Sequence, residues 1–162
     1  MYLGLMKIHL ICIGKTDEKY LIEGIEKFQN RLKHYVSFRM TVIPDIKNAK
    51  NMSMEQQKNK EAALIEKHLQ ANEYLILLDD KGDEFTSVGF AGFLEKQSLS
   101  SVQQLTFIIG GPYGFAEELY NQSKKRISLS KMTFSHQMVR LFFLEQLYRA
   151  YTIQRGEPYH HE

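Results

Sequence analysis

Apolar and polar positions along this chain alternate between two rhythms. Lys7–Ile13 is a short apolar run rich in β-branched residues, ended by Gly14, and it predicts a strand. Over residues 16–35 the apolar side chains Leu21, Ile25, Phe28, Leu32 and Tyr35 recur at helical spacing behind a capping Thr16 or Asp17. Ser37–Ile43 predicts a second strand, closed by Pro44. Ser53-Met54-Glu55-Gln56 has the form of a capping box, in which a Ser and a Gln satisfy free amides reciprocally, and opens a helix to about residue 69. Residues 74–79 predict a third strand, continuously apolar as a strand buried on both faces must be. A turn at Asp80-Lys81-Gly82-Asp83 leads to a helix over about 86–97, a fourth strand at Gln104–Ile109 and the loop Gly110-Gly111-Pro112-Tyr113-Gly114. A short helix over 116–123, a fifth strand over 126–130, a long helix over about 135–150 and a polar tail complete the chain.

Strands alternating with helices predict an α/β fold, a parallel sheet with helices on both faces. No repeat, low-complexity tract or flexible linker interrupts residues 1–162, which read as one domain. Ligands of such sheets bind beyond the carboxyl ends of the strands. Three loops qualify, those after Asp79, Ile109 and Ser130.

Taken singly, each loop has an ordinary explanation. The glycine loop lets backbone approach a ligand, but it lacks the Lys-Ser/Thr of a phosphate loop and the spacing of a dinucleotide fingerprint. Leu78-Asp79-Asp80-Lys81-Gly82 reads first as a polar turn. Residues 128–136 bring hydroxyls and backbone amides to a helix start, where free N–H groups and a positive dipole end collect. Thr133 or Ser135 could simply be the N-cap there, and His136 a solvated residue. The long helix carries Val139, Phe142, Phe143, Leu147 and Tyr151 over more than one stripe. Such a helix must bury a second side, and a homodimer interface would do so.

Composition narrows the classes. The chain is 43% hydrophobic and 25% charged, which is globular, and no apolar run reaches the roughly 18–20 residues that span a bilayer. The opening lacks a signal-peptide pattern, so the expected location is cytoplasmic. Cys12, the single cysteine, lies inside an apolar run and reads as a buried hydrophobe. The histidines show no metal spacing, and no metal is expected. The net charge of +2 hides an asymmetry: residues 124–156 hold seven basic side chains against Glu145 alone, a segment charge of +6 that leaves the rest at −4. That distribution suits a polyanionic partner.

Together the loops and tail resemble the ribosomal RNA large subunit methyltransferase H family of SPOUT-class methyltransferases. The match is carried by Phe107-Ile108-Ile109-Gly110-Gly111-Pro112-Tyr113-Gly114-Phe115, by Leu129-Ser130-Lys131-Met132-Thr133-Phe134 and by His136-Gln137-Met138-Val139-Arg140. It continues through Glu145-Gln146-Leu147-Tyr148-Arg149-Ala150 to Arg155-Gly156-Glu157-Pro158-Tyr159-His160, and the strand ending at Gly14-Lys15 also matches. The resemblance covers the chain from about Met6, so residues 1–5 read as an extension before the family's usual start. The family usually has Pro at the position of Ser135, which bears on the rigidity of the start of the long helix.

The resemblance implies a SPOUT fold with a C-terminal trefoil knot, and an S-adenosyl-L-methionine pocket formed by the three loops. Its cofactor-binding positions fall on Leu78, Gly110, Gly111, Leu129, Ser130, Lys131, Met132, Thr133 and Phe134. It further implies N3-methylation of a pseudouridine in helix 69 of 23S rRNA, on the assembled ribosome. The imide proton on N3 must leave before that nitrogen accepts a methyl group, which requires a base or surroundings that favour the anion. The candidates are His160, Tyr159, Arg149 and Arg140, with His136 behind them. Arg149 and Arg155 read as phosphate or imide contacts, and for Arg149 a salt bridge to Glu145 on the same helix is an equal reading. The Tyr159-His160 tail reads as flexible and able to close over substrate. With so little excess charge, the protein is expected to need the ribosome's shaped surface and to bind free RNA weakly. The alternatives are the same fold acting on another RNA such as tRNA, a non-enzymatic ribosome-binding factor, and a nucleotide-binding enzyme using the glycine loop.

Overall fold

The central strands have no water-facing side. In the computed structural model, which describes residues 6–161, every residue of Gln104–Ile109 is buried, and so is all of Lys7–Ile13 beyond its first residue. The proposed extension at residues 1–5 lies outside the described residues. Strands β1 (Lys7–Ile13), β2 (Ser37–Ile43), β3 (Tyr74–Glu84), β4 (Gln104–Ile109) and β5 (Lys125–Ser128) form one sheet in the order β2-β1-β4-β3-β5, with every pair parallel. Helices α1 (Lys19–Leu32), α2 (Met54–Glu66), α3 (Ser87–Ser98), α4 (Glu117–Gln122) and α5 (His136–Gln154) connect and follow them.

Side chains alternate across a strand, so two cores form. Ile8, Leu10 and Cys12 of β1 join Ile76, Phe107 and Ile109 against α5, which packs between α1 and α3. Ile11 and Ile13 join Leu75, Leu77 and Ile108 against Ala62 and Ile65 of α2 and Leu119 of α4. Phe107 and Phe143 lie at 4.7 Å between ring centroids, coupling sheet to α5. Among the described residues, no helix is long and apolar enough to cross a membrane.

Several boundaries depart from the sequence reading. β3 does not stop at Asp79 but resumes to Glu84, with Leu78 and Asp83 both set against Ile127 of β5. The intervening residues bulge, and Gly82 fits because a Cβ there would lie 2.6 Å from the Arg126 carbonyl carbon. β5 accordingly ends at Ser128, and α5 runs on to Gln154. α1 begins behind Glu18, with no side-chain cap. Thr16 instead accepts a hydrogen bond from Arg140, and the Asp17 amide donates to Gln137. At α2 the box closes: Ser53 accepts the Gln56 amide at 3.1 Å while Gln56 accepts the Ser53 amide at 2.9 Å.

Candidate active site

Adjacent parallel strands deliver their carboxyl ends to the same edge of a sheet. Because β4, β3 and β5 are neighbours, the loops that follow β4 and β5 meet the bulge within β3 there. They enclose a cavity of about 380 Å³ lined by residues 78–80, 109–112, 114–115, 127–130 and 132–136, and closed below by Val139 of α5. Of the expected binding residues, Leu78, Gly110, Gly111, Leu129, Ser130, Met132, Thr133 and Phe134 line it. Lys131 does not, and it is exposed.

Each loop is held by its own short-range bonds. The Ser128 hydroxyl donates to the Ser130 carbonyl at 2.8 Å, and the Ser130 hydroxyl accepts the Met132 amide at 2.9 Å, so these hydroxyls shape the loop itself. Ser135, where the resemblance leads one to expect Pro, caps α5 by accepting the Met138 amide at 3.1 Å. A proline there would restrict the chain covalently, and the serine restrains the start of the helix by a hydrogen bond. In the glycine loop, Gly114 takes a φ of +82°, and Gly111 and Gly114 pair as an isolated bridge.

Two residues that the sequence reading passed over brace the loops. Tyr120 of α4 donates its hydroxyl to Asp79 and accepts the Phe115 amide, so it ties the bulge of β3 to the glycine loop. Burial first, and Asp79 second, raise the Tyr120 phenol pKa. The Arg126 guanidinium stacks 4.2 Å above its ring. Behind Gly111 lies the buried carboxylate of Glu61 on α2. The only sequence signal for Glu61 is an acid followed directly by the apolar run Ala62-Ala63-Leu64-Ile65.

The catalytic candidates separate into two environments. Arg140 is fully buried, and its guanidinium donates to the Ile13 carbonyl at 2.6 Å and the Thr16 hydroxyl at 3.0 Å. Arg140, one of the expected catalytic residues, is thus sealed inside the chain as a tie between α5 and β1. Arg149, Tyr159 and His160 do come together. Arg149 bridges Glu145 at 2.7 Å, shares a hydrogen bond with His160 Nδ1 at 3.1 Å and stacks 4.8 Å from the Tyr159 ring. The Tyr159 ring also meets Tyr148 edge-on at 4.8 Å. The tail is thus packed on α5 of its own chain. Burial, and then Glu145, raise the Tyr159 pKa, so this phenol keeps its proton. Arg149 lines a second cavity of about 580 Å³ with Phe85, Phe90, Phe142, Glu145 and Gln146. Ile127, Ser128, Leu129, Ser130 and Phe134 border both cavities and form the wall between them. His136, expected as a solvated residue or a minor catalytic candidate, lines the first cavity.

Residues 6–160 match the family described as "Predicted SPOUT methyltransferase". The chain belongs to the SPOUT methyltransferase family. A relative from Parabacteroides distasonis, named ribosomal RNA large subunit methyltransferase H, is 59% identical over 97% of this chain and 100% of its own. One of the same name from Flavobacterium johnsoniae is 56% identical over the same shares. The crystal structure of a probable methyltransferase from Bordetella pertussis Tohama I aligns with a TM-score of 0.57 at 9% identity, covering 91% of this chain and 95% of that one, which shows likeness of fold. SPOUT methyltransferases take their methyl group from S-adenosyl-L-methionine. Among the described residues, no group of His, Cys, Asp or Glu side chains is gathered to hold a metal ion.

Proposed function

We propose that the cavity at the ends of β3, β4 and β5 binds S-adenosyl-L-methionine, and that the protein methylates N3 of a pseudouridine in helix 69 of 23S rRNA. The substrate form is the assembled large subunit or ribosome, in the bacterial cytoplasm. The observation that carries this reading is the convergence of the β3 bulge and the loops after β4 and β5 on one cavity. Its volume of about 380 Å³ falls in the range of small-molecule sites. Leu78, Gly110, Gly111, Leu129, Ser130, Met132, Thr133 and Phe134 would hold the donor, with Lys131 contributing through its backbone. Asp79 and Asp80 at the rim complement a ligand that carries positive charge. The name shared by the full-length relatives supports an RNA substrate in the large subunit.

When bound, the donor supplies an already activated methyl carbon. The protein's task is then alignment and removal of the imide proton. The second cavity receives the nucleobase. The N3 proton passes to solvent water, and Arg149, fixed by Glu145 and stacked on Tyr159, stabilises the imide anion left behind. His160 holds the guanidinium through Nδ1, and Tyr159, kept protonated, serves as a platform and not as the base. Exposed Met132, Phe134 and Phe142 support a homodimer in which this edge and α5 are covered by a second copy. The position of β5 at the sheet edge beside β3, with α5 returning between α1 and α3, supports the family's trefoil knot.

Mass spectrometry of the 23S fragment containing helix 69, from strains with and without the gene, tests the assignment. The methyl group should disappear with the gene and return on assembled ribosomes given the purified protein and donor. Loss of a methyl group from tRNA instead would refute the substrate.

A further inference from the structure

Glu61 stands on the buried face of α2 beside Ala62 and Ile65 and is only 5% exposed. A carboxylate in that position is costly to bury unless it is paired. Gln57 donates to its Oε2 at 3.2 Å, and the Gly111 amide is hydrogen-bonded to it as well. The approach is close: a Cβ on Gly111 would lie 2.6 Å from Oε2 and 2.9 Å from Oε1. Glu61 does not line the cavity, whereas Gly110, Gly111, Pro112 and Gly114 do. The absence of a side chain at Gly111 is therefore required from behind, by Glu61, independently of any ligand in front.

We infer that Glu61 is a positioning residue for the methyl donor: from α2 its carboxylate grips the Gly111 peptide and sets the path of residues 110–114 along the cavity wall. The inference rests on the reading that this cavity binds the donor. Burial of the carboxyl and the nearby Asp45 raise the pKa of Glu61, while Gln57 and the Gly111 amide favour its charged form, in keeping with an acid balanced against the loop it holds.

The test compares Glu61→Ala, Glu61→Gln, Gly111→Ala and the Glu61→Ala/Gly111→Ala pair. S-adenosyl-L-methionine affinity is measured by calorimetry, and kcat and both KM values are measured on ribosomal subunits. Glu61→Ala should weaken donor binding and raise the donor KM about tenfold, with kcat and the KM for ribosomes within about twofold of wild type. Glu61→Gln keeps an acceptor oxygen for the Gly111 amide and should stay within about threefold. The double variant should bind donor no more weakly than Glu61→Ala, because the added methyl occupies space the carboxylate has left. Donor affinity within about twofold of wild type in Glu61→Ala, or additive losses in the pair, would overturn the inference. Should Glu61→Ala fail to fold, Gly111→Ala decides, since its methyl must displace the carboxylate and unchanged donor binding there is equally fatal. A wild-type protein that ignores the donor defeats the cavity assignment and this inference together; equal binding by wild type and all variants defeats this inference alone.

Discussion

The guanidinium of Arg140 donates to the carbonyl oxygen of Ile13 at 2.6 Å, fastening the N-terminal part of α5 to the carboxyl end of β1. Arg140 has no exposed surface, so its removal leaves that carbonyl without a charged donor and empties a large volume. Arg140→Ala should cost about 3 kcal/mol of stability, read by chemical denaturation. An inactive variant with full stability would instead return Arg140 to the catalytic machinery.

Arg149 carries the opposite expectation. Lysine keeps its charge but not the planar fork that meets Glu145 and stacks on Tyr159. Arg149→Lys should lower kcat about a hundredfold with donor affinity unchanged. His160→Ala should lower kcat about tenfold, whereas Tyr159→Phe, which keeps the ring, should remain within about threefold of wild type. Full turnover by His160→Ala would remove that residue from the mechanism.

Tyr120 links Asp79 to Phe115 through one hydroxyl, and Phe retains its ring packing on Phe115. Tyr120→Phe should therefore weaken donor binding about fivefold and cost about 1 kcal/mol of stability. Calorimetry and thermal unfolding check the two effects separately. If both stay at wild-type values, the hydroxyl does not brace the loops.

His9 sets an acid limit on stability. It is buried in β1, its Nε2 hydrogen-bonded to the Thr41 hydroxyl at 2.7 Å, with Arg39 3.4 Å from Nδ1. Burial first, then Arg39 and His68, lower its pKa from 6.5 to about 4. The unfolded chain thus takes up a proton at a pH where the folded protein refuses it. The stability that neutral His9 supplies is complete above pH 6.5 and declines as pH falls toward about 4, by up to about 3 kcal/mol. His9→Gln, which does not titrate, should flatten that part of the pH–stability curve measured by urea unfolding. An unchanged curve would assign the acid lability to other groups.

The order of strands and helices, the box at Ser53 and the loops after β4 and β5 were legible in the sequence, because hydrophobic period and capping chemistry act within a few residues. The meeting of those loops was not. It follows from the order β4-β3-β5, and pairing between strands far apart in sequence leaves little trace in either strand alone. The bulge in β3 was hidden for the same reason, since Gly82 is explained only by the Arg126 backbone lying against it. Arg140 and Arg149 make the case most sharply. They were equal candidates nine positions apart on one helix, and at about 100° per residue that spacing sets them half a turn apart, on opposite faces. Helical periodicity alone required them to differ. Only the packing of α5 against β1 decided that Arg140 would be sealed inside and Arg149 would line a cavity, because burial is a property of what lies across from a side chain and not of its neighbours along the chain.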